Sequence, residues 1–305
     1  MTDDSPYAAG LRRIPVRRRS ATIGGAVTRW WDYGDPDAPR TIVLVHGFRG
    51  DHHGLEPLVA QLDRVRVLSP DLPGFGASGT LPGTHDIAGY AEWLRAFVAH
   101  AGLDEPPVVL GHSFGSIVVA AAVSGGLEAS AVVLVNPISA PALEGPRAVL
   151  TKGAIAYYRI AAALPQRLGF ALLRNRAIVR VMSVSMAKTR DRRLRRFIHG
   201  QHDRYFSVFH DRDMLLEAFR ASVGSDVSDY VDGLTLPVLL VAADRDDITP
   251  VEAQHRLAER LPDARLRVID GVGHLIHYET PGAAAGFIRA FLAGLDARAA
   301  RGGAA

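Results

Sequence analysis

Residues Val108–Val118 read VVLGHSFGSIV, and this segment indicates the fold of the chain more directly than any other. Its first three residues are continuously apolar, as in a buried strand, and Ser116–Val123 has helical spacing. Between them stands the pattern G-x-S-x-G, which is typical of a sharp strand-to-helix turn with an exposed serine hydroxyl and a strained backbone. We therefore predict that Ser113 is a nucleophile, with the positive end of the following helix near the developing oxyanion.

The alternation of strand and helix patterns continues on both sides of this segment. Further short apolar runs predict strands at Ile42–Val45, Val65–Leu68, Val132–Val135, Val238–Val241 and Arg265–Ile269. Helical patterns between and after them lie at Leu55–Leu62, Ile87–His100, Val251–Leu261 and Ala283–Leu295. Such a series predicts an α/β fold with a doubly wound, mainly parallel sheet. Segments around Arg17 and at Val27–Trp31 predict an antiparallel hairpin at its edge.

Residues 137–233 interrupt this series, because they contain no convincing strand. Helical patterns lie instead at Ala148–Ala163, Gly169–Met186, Arg192–His199 and Met214–Val223. We predict a helical insertion between two strands of the sheet, so that residues 1–136 and 234–305 form one core domain. The insertion is basic, with 16 Arg and Lys against 9 Asp and Glu.

The composition of the 305 residues excludes several classes of site. Without cysteine the chain has no disulfide, no thiolate metal site and no cysteine nucleophile. The net charge of +3 is too small to favour nucleic acid as a partner, and the sequence has no apolar run of about 18 residues that could span a membrane as a helix. Arg17-Arg18-Arg19 is only weakly similar to a twin-arginine signal, since Gly24-Gly25 favours a hairpin there. We therefore expect a cytoplasmic protein.

A serine hydroxyl needs a positioned base at neutral pH, and His274 is the best placed of the 12 histidines. It lies in a glycine-flanked turn directly after the last predicted strand, where it can reach the edge of the sheet that carries Ser113. The base in turn needs an acid that fixes its tautomer. Three aspartates follow Val238–Val241 in one loop, and spacing alone does not distinguish Asp244, Asp246 and Asp247.

A set of motifs in chain order makes a family resemblance specific. The sequence shows His46-Gly47-Phe48, then DLPGFGAS at Asp71–Ser78, then the Ser113 turn, the aspartate loop and Gly273-His274. This combination resembles the α/β-hydrolase superfamily, in its capped serine branch of lipases and esterases, over roughly residues 25–136 and 234–295. In that family the acid usually precedes an x-hydrophobic-x-Pro stretch, here Asp247-Ile248-Thr249-Pro250, so the resemblance selects Asp246.

The resemblance implies further parts of a site. Two backbone N–H groups, those of Phe48 and Phe114, would form an oxyanion hole, and residues 137–233 would be a helical cap that covers the active site. His46, His112 and Asp71 are expected to support the fold rather than to react. The implied activity is hydrolysis of carboxylic esters, with a small ester or acyl molecule as substrate and no cofactor.

Other functions use the same scaffold. The same triad serves carbon–carbon bond hydrolysis, thioester hydrolysis and acyl transfer, and a catalytically inactive binding protein is a hypothesis of a different class. Epoxide hydrolases and haloalkane dehalogenases of this fold carry Asp at the turn, so Ser113 argues against both.

Two features admit both a functional and a structural interpretation. Asp51-His52-His53 look like metal ligands, but consecutive histidines in a loop rarely converge on one ion, so we predict no metal site. The basic insertion predicts either an electropositive approach for anionic substrates or a solvated face over a helical core. Within it, Arg192–Ile198 is the segment that could contact a membrane surface.

Overall fold

A computed structural model describes residues 5–141 and 148–302 of the chain. The two ends of the predicted core domain, 1–4 and 303–305, lie outside the described residues, as do residues 142–147 of the predicted insertion. Within the described ranges eight strands form one sheet. They are β1 (Val16–Ile23), β2 (Ala26–Tyr33), β3 (Thr41–Val45), β4 (Arg66–Pro70), β5 (Val108–His112), β6 (Ala131–Val135), β7 (Val238–Ala243) and β8 (Ala264–Ile269).

The sheet is mainly parallel, as the sequence predicts. Its strand order is β1-β2-β4-β3-β5-β6-β7-β8. The predicted hairpin is β1 and β2, which turn at Gly24 and Gly25, both with positive φ, and β2 pairs antiparallel with β4. All other neighbours are parallel. Every residue of β5, β6 and β7 is buried, because helices cover both faces of the sheet there.

The helices form two layers and an inserted group. They are α1 (Ala8–Leu11), α2 (His52–Val59), α3 (Ile87–Ala101), α4 (Phe114–Ser124), α5 (Ala148–Ala163), α6 (Gln166–Leu173), α7 (Arg176–Met186), α8 (Arg192–Tyr205), α9 (Arg212–Gly224), α10 (Val251–Arg260), α11 (Ile276–Glu279) and α12 (Pro281–Gly302). Trp93 of α3 and Phe114 of α4 belong to the hydrophobic core on one face, and Leu58 of α2 and Ile288 of α12 belong to the core on the other. A search of the described helices finds none that is long and apolar enough to cross a membrane.

Helices α5 to α9 lie between β6 and β7 in the chain, although these two strands are neighbours in the sheet. A 3₁₀ helix at Val227–Gly233 leads from them to β7. The inserted helices pack onto the core, because Tyr158, Leu173 and Phe219 belong to the same hydrophobic cluster as Phe114. The insertion therefore packs against the side of the core that carries α4, while its helix α8 contacts α2 and the segment of Leu275 and Tyr278.

One predicted helix is wrong. The pattern at Gly169–Met186 predicts a single helix, but the structure divides this stretch between α6 and α7. Asn175 explains the division, because its side chain accepts hydrogen bonds from the N–H groups of Ala177 at 2.9 Å and Ile178 at 3.3 Å. Such capping satisfies N–H groups that a new helix leaves without partners, and it favours a start at this residue.

Candidate active site

Three side chains from distant parts of the chain meet at the carboxyl edge of the sheet. Ser113 directly follows β5, Asp246 lies in the loop after β7, and His274 lies in the loop after β8. Parallel strands end at the same edge, and loops that follow them converge there. The sequence separation of the three residues is therefore no obstacle to their contact.

Ser113 occupies a strained turn. Its φ of 52° and ψ of −121° lie outside the regions that residues with a side chain ordinarily adopt. Close packing holds this turn in place. A Cβ added to Gly111 would lie 2.4 Å from the Gly115 oxygen, and one added to Gly115 would lie 2.3 Å from the Val45 oxygen. The two glycines of the motif are thus required by contacts between backbones.

A continuous line of hydrogen bonds joins the three side chains. His274 Nε2 lies 2.7 Å from Ser113 Oγ, and His274 Nδ1 lies 2.8 Å from Asp246 Oδ2. An ionised carboxylate can only accept, so Nδ1 carries the proton, and Nε2 of the neutral ring accepts from the serine hydroxyl. His274 and Asp246 are each 6% exposed, whereas Ser113 is half-buried. The hydroxyl is therefore the most accessible part of the line.

The Asp246 carboxylate is held on both oxygens. Oδ2 also accepts from Asn136 Nδ2 at 3.0 Å, and Oδ1 accepts from the N–H groups of Ile248 at 2.8 Å and Thr249 at 3.3 Å. Burial alone would raise the pKa of this carboxyl. The charge of His274 and the hydrogen bonds from His274, Ile248 and Asn136 outweigh burial, so the pKa of Asp246 lies below its ordinary value. The carboxyl therefore stays ionised beside the imidazole at neutral pH.

The other two aspartates of this loop have different partners. Asp244 Oδ1 accepts from the N–H of Gly271 at 2.7 Å, which ties the two loops together below His274. Asp247 forms an ion pair with Lys188, which belongs to the segment between α7 and α8. Of the three candidates, Asp246 is the residue whose carboxylate hydrogen-bonds to His274.

The predicted oxyanion donors lie on either side of Ser113. Phe114 is the first residue of α4, so its N–H belongs to the group that a helix leaves without an intrahelical partner. Phe48 lies in the loop after β3, and this loop touches the serine turn, since a Cβ on Gly47 would lie 3.2 Å from Ser113 Cβ. His46 supports the loop, because its Nε2 accepts from the N–H of Leu72 at 2.8 Å.

Aromatic rings surround the Phe48 side chain. Its ring centroid lies 5.9 Å from that of Phe75, 6.3 Å from Phe114, 6.0 Å from Tyr158 and 6.0 Å from Phe219. Tyr158 of α5 and Phe219 of α9 stack on each other at 3.7 Å. The surroundings of the predicted oxyanion loop are therefore apolar and are built partly by the inserted helices.

Histidines line the far side of the triad. His112 and His277 are in edge-to-face contact at 4.0 Å, and the His112 ring lies 5.6 Å from that of His274. Burial, with a smaller contribution from the charge of His274, lowers the pKa of His112 to about 3. Burial also lowers the pKa of His277 well below its ordinary value. Both rings are therefore neutral, and His112 packs inside the fold.

Asp51, His52 and His53 form a group of possible metal ligands, with donor atoms within 4.8 Å of one another. The Nδ1 atoms of both histidines and the carboxylate of Asp51 already have partners. His52 Nδ1 lies 2.8 Å from Asp71 Oδ1, and Asp51 caps α2 by accepting from the N–H of His53. The two imidazole rings are tilted by 40° with centroids 3.8 Å apart, and His53 Nδ1 lies 3.1 Å from Asp51 Oδ2, so the group is held together by its own contacts. Asp71 also accepts from the N–H of Ala77, and these contacts make it a support of the loop.

Two residues of the site carry no motif and were not predicted. Asn136 directly follows β6 and contacts Asp246, and Arg49 directly follows Phe48 and is 1% exposed. A polar residue at the carboxyl end of a central strand is a signal that could have indicated Asn136. The contacts of Arg49 are made with the inserted helices, and no local pattern predicts them.

Known proteins resemble this chain along most of its length. The magnesium-chelatase 30 kDa subunit of Rhodobacter capsulatus is 28% identical over 306 residues, which covers 93% of this chain and 96% of that protein. The monoacylglycerol lipase of Mycolicibacterium smegmatis is 29% identical over 273 residues, covering 85% and 90%. Among solved structures, an esterase from Thermogutta terrifontis matches with a TM-score of 0.72 and 22% identity, covering 92% of this chain and 99% of the other. The model of the alpha/beta hydrolase family matches residues 42–286, and with the sheet and the turn described above this shows that the chain belongs to the alpha/beta hydrolase family.

Proposed function

We propose that this chain is a serine hydrolase that cleaves carboxylic esters through an acyl-enzyme on Ser113. The observation that carries the proposal is the hydrogen-bonded line from Ser113 Oγ through His274 to Asp246, at 2.7 and 2.8 Å. A base aligned on a serine hydroxyl, with an acid behind it, is what the activation of this nucleophile requires. Relatives named as hydrolases and lipases support an enzyme of this class.

The proposed reaction uses these groups in turn. Ser113 Oγ attacks the ester carbonyl carbon while His274 Nε2 takes the hydroxyl proton, and Asp246 stabilises the imidazolium that forms. The N–H groups of Phe48 and Phe114 donate to the tetrahedral oxyanion, a contribution of roughly 3–4 kcal/mol for each donor. His274 then protonates the leaving alcohol. It next takes a proton from water, which attacks the acyl carbonyl carbon. The bond to Ser113 Oγ then breaks, Oγ takes the proton back from His274, and the carboxylic acid is released.

The helical insertion at 137–233 is proposed to act as a cap on the core formed by 1–136 and 234–305. Support comes from Tyr158 and Phe219, which belong to inserted helices and surround the Phe48 ring. An apolar surface of this kind suits the acyl chain of a small ester. Esters with a charged acyl group are expected to be poorer substrates, because the charge would lose its hydration there.

Replacing Ser113 tests this proposal. Ser113→Ala is expected to abolish turnover of p-nitrophenyl esters and labelling by a fluorophosphonate while leaving the fold intact. Residual catalysis of about 10³-fold over water is compatible with an oxyanion hole that has lost its nucleophile. The matched control is Ser124→Ala at the exposed far end of the same helix, which should retain wild-type rates. Turnover by Ser113→Ala within tenfold of the wild type would disprove the assignment.

A second candidate is a protein on this fold that binds a small molecule without turning it over, and one relative is named as a subunit of a magnesium chelatase and not as a hydrolase. The aligned base argues against this candidate, because binding alone does not need a base directed at a serine. Labelling separates the two: a fluorophosphonate that leaves the wild-type chain unmodified would favour the binding protein. A panel with a thioester, an acyl acceptor and a vinylogous diketone would distinguish the other reactions that this triad supports.

A further inference from the structure

Arg49 combines two properties that are costly in a folded protein with a position beside the proposed oxyanion loop. Its side chain is 1% exposed, although arginine is almost never fully buried without a partner of opposite charge. Its φ is 60°, a left-handed conformation that costs about 1–2 kcal/mol for a residue with a Cβ. It also directly follows Phe48, whose N–H is a proposed oxyanion donor. A residue with these costs at this position calls for a physical explanation.

The guanidinium group reaches three parts of the insertion. Nη2 donates to the Leu173 oxygen at 2.7 Å, Nε donates to the Phe206 oxygen at 2.9 Å, and Nη1 donates to the Tyr158 hydroxyl at 3.1 Å. Leu173 is the last residue of α6, Phe206 caps the carboxyl end of α8, and Tyr158 lies in α5. Within the described residues, all three acceptors are neutral oxygens. One side chain of the core loop thus contacts three inserted elements.

The two carbonyls explain how the buried charge is compensated. The last carbonyls of a helix have no intrahelical partner and carry the negative end of the helix dipole, about half an elementary charge. Two such ends, those of α6 and α8, converge on the Arg49 guanidinium. The rings of Phe206 and Phe209 lie 5.2 and 5.3 Å from it and add cation–π attraction. The counter-charge of Arg49 is therefore supplied by the insertion itself.

We propose that Arg49 is a positioning residue that couples docking of the inserted helices to the geometry of the oxyanion hole. This inference rests on the proposed function, because it concerns the N–H of Phe48. The guanidinium is rigidly held at one end by α5, α6 and α8, and the strained backbone at its other end is one peptide away from Phe48. When the helices are displaced, the guanidinium loses its three acceptors. The hydrogen bonds that stabilise the left-handed backbone of Arg49 are then absent. The Phe48 N–H is then no longer directed at the oxyanion.

The variant Arg49→Gly separates the side chain from the backbone. Glycine adopts the left-handed conformation without strain, so the loop of Arg49→Gly can still reach its native geometry but is no longer held in it by the guanidinium, and other conformations of the loop become accessible. Arg49→Lys keeps a charge but lacks the fork that reaches three acceptors. Tyr158→Phe removes one acceptor and keeps the ring that stacks on Phe219. The matched control is Arg64→Gly, since Arg64 also has a left-handed φ, of 57°, but is exposed.

The measurements are kcat and KM on a p-nitrophenyl ester, and inhibition by two ligands of equal length. A trifluoromethyl ketone forms a tetrahedral adduct on the serine, and the matching ether cannot. For Arg49→Gly we expect kcat to fall about 10²-fold, comparable with removal of one oxyanion donor, with a similar loss of trifluoromethyl ketone affinity. KM and ether inhibition should stay within about threefold of wild type. The kcat of Arg49→Lys should lie between those of Arg49→Gly and the wild type. Tyr158→Phe should lose less kcat than Arg49→Lys, and Arg64→Gly should have the kcat of the wild type.

Two outcomes of these measurements would overturn the inference. Unchanged kcat and adduct affinity in a folded Arg49→Gly protein would leave Arg49 as a structural residue only. Equal weakening of the ether and the ketone would show a role in the pocket instead of the oxyanion hole. Tyr158→Phe and Arg49→Lys decide the question in the same way if Arg49→Gly does not fold.

Amide hydrogen exchange separates this inference from the proposed function. Coupling predicts that Arg49→Gly speeds exchange both in residues 46–51 and at the carboxyl ends of α6 and α8. This readout needs no turnover. If the wild-type chain hydrolyses no ester, the proposed function fails, and exchange still tests the coupling. Exchange in residues 46–51 that equals the wild type would overturn the coupling whatever the activity.

Discussion

Asn136 contacts the carboxylate of Asp246, although the two residues are more than a hundred positions apart in the chain. It is fully buried and has a φ of 45°, which asparagine tolerates better than most residues. Its Nδ2 donates to the same Asp246 oxygen that His274 contacts, and also approaches the Gly273 oxygen at 3.4 Å. It thus links the strand that carries it to both loops of the triad.

Removal of the Asn136 amide should move the acid limb of the pH profile of kcat/KM to higher pH. Asn136→Gly keeps the backbone conformation but removes a donor that lowers the pKa of Asp246. The pKa of the Asp246 carboxyl is then less depressed, and the carboxylate is protonated at a higher pH. The acid limb of the kcat/KM profile therefore moves to higher pH, by about one pH unit for a loss of about 1.4 kcal/mol. A profile with an unchanged acid limb would leave Asn136 without a role in the charge of the triad.

Replacement of the three aspartates should separate their roles. Asp246→Asn is expected to lower turnover by about 10⁴-fold, as in proteases with the same chemistry, because an amide favours the wrong tautomer of the imidazole. Asp244→Asn keeps an oxygen that accepts from Gly271, and Asp247→Asn weakens the ion pair with Lys188, which lies outside the contacts of His274. Both should retain activity within about tenfold. A larger loss for Asp244→Asn than for Asp246→Asn would reverse the assignment.

Helix α8 is the element in which the basic character of the insertion is concentrated. Arg192, Arg193 and Arg196 are exposed and Arg195 is half-buried, while Phe197 and Ile198 pack inward. These arginines lie in the first turns of the helix, where positive charge opposes the helix dipole. Arg193 borders a cavity of about 490 Å³ with residues Ser5–Ala9, and that cavity does not include Ser113.

Salt should therefore affect charged and neutral esters alike. Exposed charges act through water over only about 8–10 Å at physiological ionic strength. We expect anionic and neutral esters of equal length to show the same salt dependence of kcat/KM. Changing Arg192, Arg193, Arg195 and Arg196 to Glu should not distinguish them either. A selective loss for the anionic ester would instead show that the insertion attracts negative substrates.

The elements also show what a sequence pattern can and cannot predict. The strands and the Ser113 turn were predicted because continuous apolar runs and paired glycines reflect local geometry. The break at Asn175 was missed, because one capping side chain outweighs an uninterrupted helical pattern. The contacts of Arg49 and Asn136 were missed because they join segments distant in sequence. The catalytic roles of Ser113, Asp246 and His274 stay predictions.

At the scale of the whole molecule, buried neutral histidines make the fold sensitive to acid. Burial is the main cause that lowers the pKa of His52 to about 2 and the pKa values of His112 and His202 to about 3. Burial also lowers the pKa values of His46 and His277. In the unfolded chain these rings take up protons near pH 6.5. Their contribution to stability is complete above that pH and decreases as the pH falls toward 3.

The free energy of unfolding should therefore fall steeply between pH 6.5 and pH 4. Each buried histidine contributes about 1.4 kcal/mol per pH unit in this range, so a few of them match the total of about 5–15 kcal/mol that is typical of a domain. Denaturant unfolding at several pH values measures the slope. His202→Leu should reduce this slope by about 1.4 kcal/mol per pH unit, which corresponds to one proton. His210→Leu, at an exposed site, should leave the slope unchanged. Parallel curves for wild type and His202→Leu would contradict this account.

The separation of β6 and β7 in the chain also affects the order in which the protein is synthesised and folds on the ribosome. Val132 of β6 pairs with Val238 of β7, and all five inserted helices are synthesised between them. Ser113 is thus synthesised, together with β5 and its neighbours β3 and β6, before Asp246 and His274. In the proposed mechanism a nascent chain that ends within the insertion has its serine but no base. Chemistry then begins only when β7 and β8 have joined the sheet, so that synthesis itself delays the first turnover.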